Sequence, residues 1–312
     1  MSEIIDIAII GGGPAGLAAA LYGARARAST LVFETALPGG QIITTDWIEN
    51  YPGMPEGLNG SRIGELMHAH AEKFGAQFKT FAQVEEVAAD SGGFRVTADN
   101  ESFLARTVIL ATGAVPRKLG IPGEAEYTGR GVSWCATCDG ALYRGKTVAV
   151  VGGGDAALEE AMFLTKFAER VHLVHRRDEL RATRCIQERA FANDKVELHL
   201  SRVPVEIVGR DGKVSGLVLE TPSGDPAETI AVQGVFEFVG VHPTSDLVKG
   251  LVDLAAGGWV MVDSSMGTSY TGLFAAGDVT DTPLKQVVTA AGQGATAAFE
   301  ALKYLDSGVC KL

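Results

Sequence analysis

Ile4-Ile-Asp-Ile-Ala-Ile-Ile10 followed by Gly11-Gly-Gly13-Pro-Ala-Gly16 decides the fold of this chain. A short isoleucine-rich run without polar alternation reads as a strand buried on both faces, the habit of parallel sheets. The glycines turn the backbone, and Pro14 to Ala26 continues as a helix with its proline in the first turn. Thr30-Leu-Val-Phe33 is the next strand and ends at Glu34, 18 positions after Gly16. Strand, glycine loop, helix, strand and terminal acid together make a βαβ unit of the dinucleotide-binding kind.

The chemistry follows from the residue types. Gly11, Gly13 and Gly16 let the backbone approach a pyrophosphate, and the helix opening at Pro14 and Ala15 offers that anion its free N–H groups. Glu34 accepts hydrogen bonds from ribose hydroxyls and repels a 2′-phosphate. This loop is therefore expected to take an unphosphorylated adenosine, as in FAD or NAD.

The device recurs. Strand Thr147–Val151 runs into Gly152-Gly-Gly154-Asp155-Ala156-Ala157, then a helix over Ala156–Phe167 and a strand over Val171–Val174. Here the strand ends in His175-Arg176-Arg177 where the first unit has an acid. Guanidinium forks grip phosphate bidentately, so the replacement favours NADP(H). Arg181, four residues after Arg177, is expected on the same helical face.

Further strands are expected at Thr107–Gly113, Val196–Leu200, Val214–Leu219, Gly234–Gly240 and from Leu273 into Gly277-Asp278, with helices near Arg184–Phe191 and over Gln286–Leu305. Proline-containing turns at Ala114-Val-Pro116 and Val241-His-Pro243-Thr244 interrupt this pattern. The expected fold is α/β, with two Rossmann-like dinucleotide-binding domains and the second inserted into the first. Residues 1–114 and 245–312 form the outer domain, and 115–244 the inserted one. Two connections between the same bodies suit a hinge.

Composition narrows the function. The 312 residues suffice for two domains, and 46% hydrophobic residues is ordinary globular content. A net charge of −11 argues against nucleic acid and anionic membranes as partners. No secretory leader and no run of 18 apolar residues is visible, so a cytoplasmic location without a membrane span is expected.

Four cysteines are too few for a disulfide framework, and a lone CxxC suits a reducing compartment. Cys135-Ala-Thr-Cys138-Asp139 lies 14 residues before the second glycine loop. Thiols at this spacing close a small reversible ring and exchange with other disulfides through a mixed disulfide. Asp139 is suited to carry the proton left over. A zinc site would need two more ligands at comparable spacing, and Cys185 and Cys310 offer none. Both read as inert. His68, His70, His172, His199 and His242 show no ligand spacing, so no metal site is expected.

Gly131–Gly140, Gly152–Ala157 and His175–Ala182 resemble signatures of the bacterial low-molecular-weight thioredoxin reductases. So do Pro-Gly-Gly-Gln (38–41), Glu-Asn-Tyr-Pro-Gly (49–53), Ala-Thr-Gly (111–113) and Ala-Ala-Gly-Asp-Val (275–279). The resemblance spans nearly the whole chain. It implies FAD in the outer domain, touched also by Gly40, Gln41, Asn50, Thr112 with Gly113, Gly277 with Asp278, and Lys285 with Gln286. It implies NADPH in the inserted domain, with Cys138 facing the flavin, Cys135 attacking thioredoxin, and Asp139 as acid–base group. A homodimer whose inserted domain rotates is implied too. The chain departs from the family pattern at Lys285, where arginine is frequent, and at Thr244, Trp134 and Leu142.

The implied activity is thioredoxin-disulfide reduction by NADPH through FAD and Cys135–Cys138. A ferredoxin-dependent flavin thioredoxin reductase would have lost His175-Arg176-Arg177. A non-enzymatic flavin redox sensor would turn over slowly or not at all with thioredoxin, and a ferredoxin–NADP reductase has no use for CxxC.

Overall fold

The computed structural model describes residues 4–45, 48, 50–134, 136–222 and 227–308; the side chains of Thr44, Thr137 and Cys138 fall outside that description, as do Glu49, Cys135 and Cys310. The chain divides into two compact units, Met1–Val115 with His242–Leu312, and Pro116–Val241.

The first unit begins β1 (Ile5–Ile10), α1 (Pro14–Arg25), β2 (Thr30–Glu34), α2 (Gly60–Lys73), β3 (Gln77–Thr80), β4 (Val84–Asp90), β5 (Gly93–Ala98) and β6 (Glu101–Leu110). β7 (Ala114–Pro116) leads out of it. The second unit follows with α3 (Glu124–Tyr127), β8 (Val132–Ser133), α4 (Ala136–Asp139), β9 (Thr147–Gly152), α5 (Asp155–Leu164), β10 (Arg170–His175), α6 (Arg184–Phe191) and β11 (Val196–Leu200). It continues through β12 (Val203–Arg210), β13 (Lys213–Glu220), β14 (Glu228–Ile230) and β15 (Gly234–Phe238) to β16 (Val241–Pro243). The chain then returns to the first unit with β17 (Leu273–Ala275) and α7 (Val287–Asp306).

In the first unit β3, β2, β1 and β6 run parallel, β17 joins β6 in parallel, and β5 and β4 continue antiparallel. Ile10 is level with Phe33 and Leu110, and Leu110 with Ala275, so the carboxyl ends of four strands share one edge. Ile7 and Ile9 bury one face of β1 against α1 and α7, while Ala8 and Ile10 bury the other against Phe33, Val260 and Val279. This is why β1 carries no polar alternation.

The second unit repeats the plan with an all-parallel sheet ordered β11-β10-β9-β15-β8. Val148, Val150, Leu173 and Phe236 pack toward Leu158 and Leu164 of α5. Ala149, Val151, Val174 and Val235 pack toward Ile207, Leu217 and Leu219 of the antiparallel sheet β12-β13-β14.

Two sequence expectations change. Ala114–Pro116 and Val241–Pro243 are not turns: they pair as a two-stranded ribbon through which the chain passes between the units. Proline fits there because a short edge pair leaves its missing donor without consequence. Residues 176–183 form bends and irregular backbone, and α6 begins only at Arg184, so Arg177 and Arg181 share no helical face. The N–H groups of Arg181 and Ala182 both reach the Gly153 carbonyl oxygen (2.7 and 3.1 Å), which holds the segment out of helical geometry.

Candidate active site

The first glycine loop sits at the shared carboxyl edge of β1, β2, β6 and β17. Gly11 has φ +103°, and a Cβ there would lie 2.4 Å from the Ala111 carbonyl oxygen. A Cβ on Gly16 would lie 1.9 Å from the Gly11 carbonyl oxygen. Both glycines are thus required by the protein itself, to seat α1 on the sheet. Gly13 is different: its φ is −75°, open to any residue, and a Cβ would make only a 3.8 Å contact with Gly40. Nothing in the protein demands glycine there, whereas close approach of a pyrophosphate does.

The helix starts point the same way. Asn59 caps α2 by accepting the Ser61 N–H (3.0 Å), but α1 begins at Gly13 with no side-chain cap. Its first-turn N–H donors are left to an anion. Glu34, almost fully buried, accepts the Gly12 N–H at Oε2 (2.7 Å) and the Ala36 N–H at Oε1 (2.9 Å), which fixes the carboxylate beside the loop.

The motifs scattered along the first unit converge here. The Gly39 N–H donates to the Gly12 carbonyl (2.7 Å), bringing Gly40 and Gln41 against the loop, and Gln41 Nε2 donates to the Ala114 carbonyl oxygen. The Thr112 hydroxyl donates to the Thr244 carbonyl (2.6 Å), and the Thr244 N–H to that of Gly113 (3.0 Å). Gln293 of α7 accepts the Gly277 N–H (2.8 Å), and Asn50 Nδ2 donates to Gln286 Oε1 (3.0 Å) at the start of α7.

Asp278 carries a half-buried carboxyl whose pKa burial raises and Lys285 partly lowers. Lys285 does not present a free cation. Its Nζ donates to the carbonyl oxygens of Asp278 (3.1 Å) and Thr280 (2.9 Å) and lies 3.7 Å from the Trp259 ring centre, so it pins the Asp278 loop.

In the second unit α5 also starts uncapped, at Gly154, where a Cβ would meet nothing within 4 Å. The same argument for close anion approach applies. Asp155 accepts the Thr183 N–H (2.6 Å), tying the start of α5 to the arginine segment, and Ala156 is exposed in its first turn. Arg176, Arg177 and Arg181 are exposed, and none has a carboxylate partner among the described residues.

His175 behaves otherwise. It is buried beneath the loop, where a Cβ on Gly153 would strike its ring at 2.3 Å. Burial, above all, pushes its pKa down, and the neighbouring arginines push the same way. Its ring supports the loop as a neutral group, while the three arginines supply the charge.

The CxxC stretch places Cys138 and Asp139 in α4, which packs against α5 through Ala136. Cys135 lies outside the described residues. Asp139 is half-buried and adds to burial in raising the pKa of the Tyr143 hydroxyl below it.

Trp134, immediately before Cys135, donates its Nε1–H to Glu237 Oε2 (3.0 Å). Glu237 and its neighbour Glu124 are buried, 1% and 3% exposed. Burial, then the Glu124 charge, pushes the Glu237 pKa up to about 8, so the pair holds a proton at neutral pH. Sequence reading missed this pair; the only sign was an acid in the otherwise apolar run of β15.

It also expected no metal ligands, yet His172, Glu197 and His199 come together on β10 and β11. Linear spacing conceals them because the strand register aligns His172 with Glu197.

The family model for pyridine nucleotide-disulphide oxidoreductases matches residues 5–294. A thioredoxin reductase of Peptoclostridium acidaminophilum is 45% identical over 98% of this chain and 99% of its own length, and one of Bacillus subtilis 43% over 98% and 97%. The crystal structure of Lactococcus lactis thioredoxin reductase superposes with a TM-score of 0.94 at 40% identity, covering 97% of this chain and 99% of that one. With a family model over nearly the whole chain and thioredoxin reductases above 40% identity, the chain belongs to the pyridine nucleotide-disulphide oxidoreductase family, in its thioredoxin reductase group.

Proposed function

We propose that this oxidoreductase is a thioredoxin-disulfide reductase, taking electrons from NADPH by way of FAD and the Cys135–Cys138 pair. The observation that carries the reading is the contrast between the two uncapped helices, one beside the tethered Glu34 and the other beside three arginines without a carboxylate partner among the described residues. The first unit would hold FAD through Gly11–Gly16, Glu34, Gly40, Gln41, Asn50, Thr112, Gly113, Gly277, Asp278 and Gln286, with Lys285 fixing the Asp278 loop. The second would hold NADPH through Gly152, Gly154, Asp155 and Ala156, with Arg176, Arg177 and Arg181 on the 2′-phosphate and the buried His175 ring supporting the loop. Bound there, FAD would supply two-electron redox chemistry between NADPH and the protein disulfide.

The residues do the rest. The Cys135 thiolate attacks a sulfur of the thioredoxin disulfide, forming a mixed disulfide and releasing one thioredoxin thiolate. The Cys138 thiolate then displaces the second thioredoxin sulfur, closing Cys135–Cys138 and freeing reduced thioredoxin. Asp139, half-buried on the same short helix, accepts and returns the proton of this exchange. Intact arginines favour NADPH over ferredoxin as donor.

No described helix is long and apolar enough to cross a membrane. We place the enzyme in the cytoplasm, as a homodimer without nucleic-acid or membrane partners. The test is thioredoxin-dependent NADPH oxidation by Cys135→Ser and Cys138→Ser: both are expected to keep their yellow colour and lose the activity. Full activity in either variant would overturn the proposed exchange.

A further inference from the structure

The second unit carries a group of ligand-type side chains that the redox chemistry does not use. His172 lies on β10 and Glu197 and His199 on β11, paired in parallel so that His172 is level with Glu197. Side chains two apart on a strand share a face, so Glu197 and His199 project together. That face is the one carrying Val174, which packs toward β12-β13-β14.

The contacts are specific. His172 Nδ1 and His199 Nε2 face each other at 2.8 Å. Glu197 Oε1 is 3.3 Å from His199 Nε2, and Glu197 Oε2 is 3.8 Å from His172 Nδ1. Two imidazole nitrogens and one carboxylate thus gather at one place. One ligand atom from each of the three residues lies within 4.8 Å of the others, a spacing that a single ion could bridge.

Glu228 Oε1 lies 4.0 Å from His199 Nδ1 and adds negative charge on the outer side of the ring. Arg170 Nη1 holds Glu197 Oε2 at 2.7 Å, leaving Oε1 to face the histidines. The histidine side chains are only 11% and 14% exposed, whereas Glu197 is 43% exposed, so a fourth position opens to water.

We propose that His172, Glu197 and His199 form a site for a divalent transition metal of the zinc type, closed on its fourth side by water. Two imidazoles and one carboxylate select Zn²⁺, Co²⁺ or Ni²⁺ over Mg²⁺ and Ca²⁺. The bound ion would tie the edge strand β11 to β10.

The experiment is equilibrium dialysis of the full-length, FAD-loaded enzyme against ZnCl₂ in excess Mg²⁺. The enzyme is kept in its disulfide form so that Cys135 and Cys138 offer no thiolates, and Cys185→Ser removes the described exposed thiol. One Zn²⁺ per chain is expected, bound at least tenfold more weakly in His172→Ala and in His199→Ala and unchanged in His70→Ala. Unchanged binding in both cluster variants, or no binding in the parent, would overturn the site. Should the histidine variants fold poorly, the Co²⁺-loaded parent decides. Tetrahedral d–d absorption without a thiolate charge-transfer band supports the ligand set, and a thiolate band or no tetrahedral signal refutes it.

Discussion

The two glycine loops share one backbone device and differ in how they hold charge. At the first, the single acid is buried, and both oxygens of Glu34 are fixed by backbone N–H groups. At the second, the only buried member is a neutral histidine, and the arginines stand in solvent without partners among the described residues. A carboxylate that must read two hydroxyls benefits from being pre-set. A 2′-phosphate is recognised by charge and fork geometry, which exposed guanidinium groups supply on contact. In the proposed function the first loop would hold FAD as a resident group, and the second would take NADPH as a soluble carrier.

The largest effect should come from removing the proposed redox dithiol. Cys138→Ser is expected to lower thioredoxin reduction by about 10³-fold or more while both nucleotides still bind, read by steady-state NADPH oxidation. Next is Gly16→Ala, whose methyl group has no room beside the Gly11 carbonyl oxygen. It should give colourless protein with a markedly lowered Tm, measured by flavin absorbance and thermal melting.

Arg176→Ala with Arg177→Ala should raise the KM for NADPH by about 10- to 100-fold, as expected for lost charge-assisted pairs of about 1.5–3 kcal/mol, and leave that for NADH unchanged. An equal change for both donors would erase the charge distinction between the loops. Gly154→Ala sharpens the comparison with Gly16: with open space around its Cβ it should melt like the parent yet bind NADPH roughly tenfold more weakly.

The smallest effect concerns Glu237. Its native pKa, about 8, lies above its unfolded value of 4.5, so the native state keeps a proton that the unfolded chain has released. Stability is therefore lost as pH rises from about 4.5 through 8. Glu237→Gln should flatten that slope, gaining on the order of 1–3 kcal/mol over the parent at pH 8 and little at pH 5, by denaturant titration.

What the sequence revealed was local. β1, β2, β9 and β10 announced themselves because buried parallel strands are continuous apolar runs, and the glycine loops follow them directly. α2 stayed hidden because it buries only Gly60, Ile63, Gly64 and Ala71, too thin a stripe to read. β4 and β12 were missed where register shifts at Val84/Glu86 and Pro204/Glu206 break the alternation. The arginines were legible as charge, but not as bends, since the Gly153 carbonyl that holds Arg181 is distant in sequence. The Glu124–Glu237 pair and the His172, Glu197 and His199 group arise only from tertiary register.

The division of labour between the loops is tested most directly by anaerobic titration of the yellow enzyme with NADPH, and in parallel with NADH, following flavin absorbance. Bleaching at near-stoichiometric NADPH, with NADH needed in large excess, is the predicted result. A flavin that stays oxidised with both, yet bleaches with reduced ferredoxin, would contradict it.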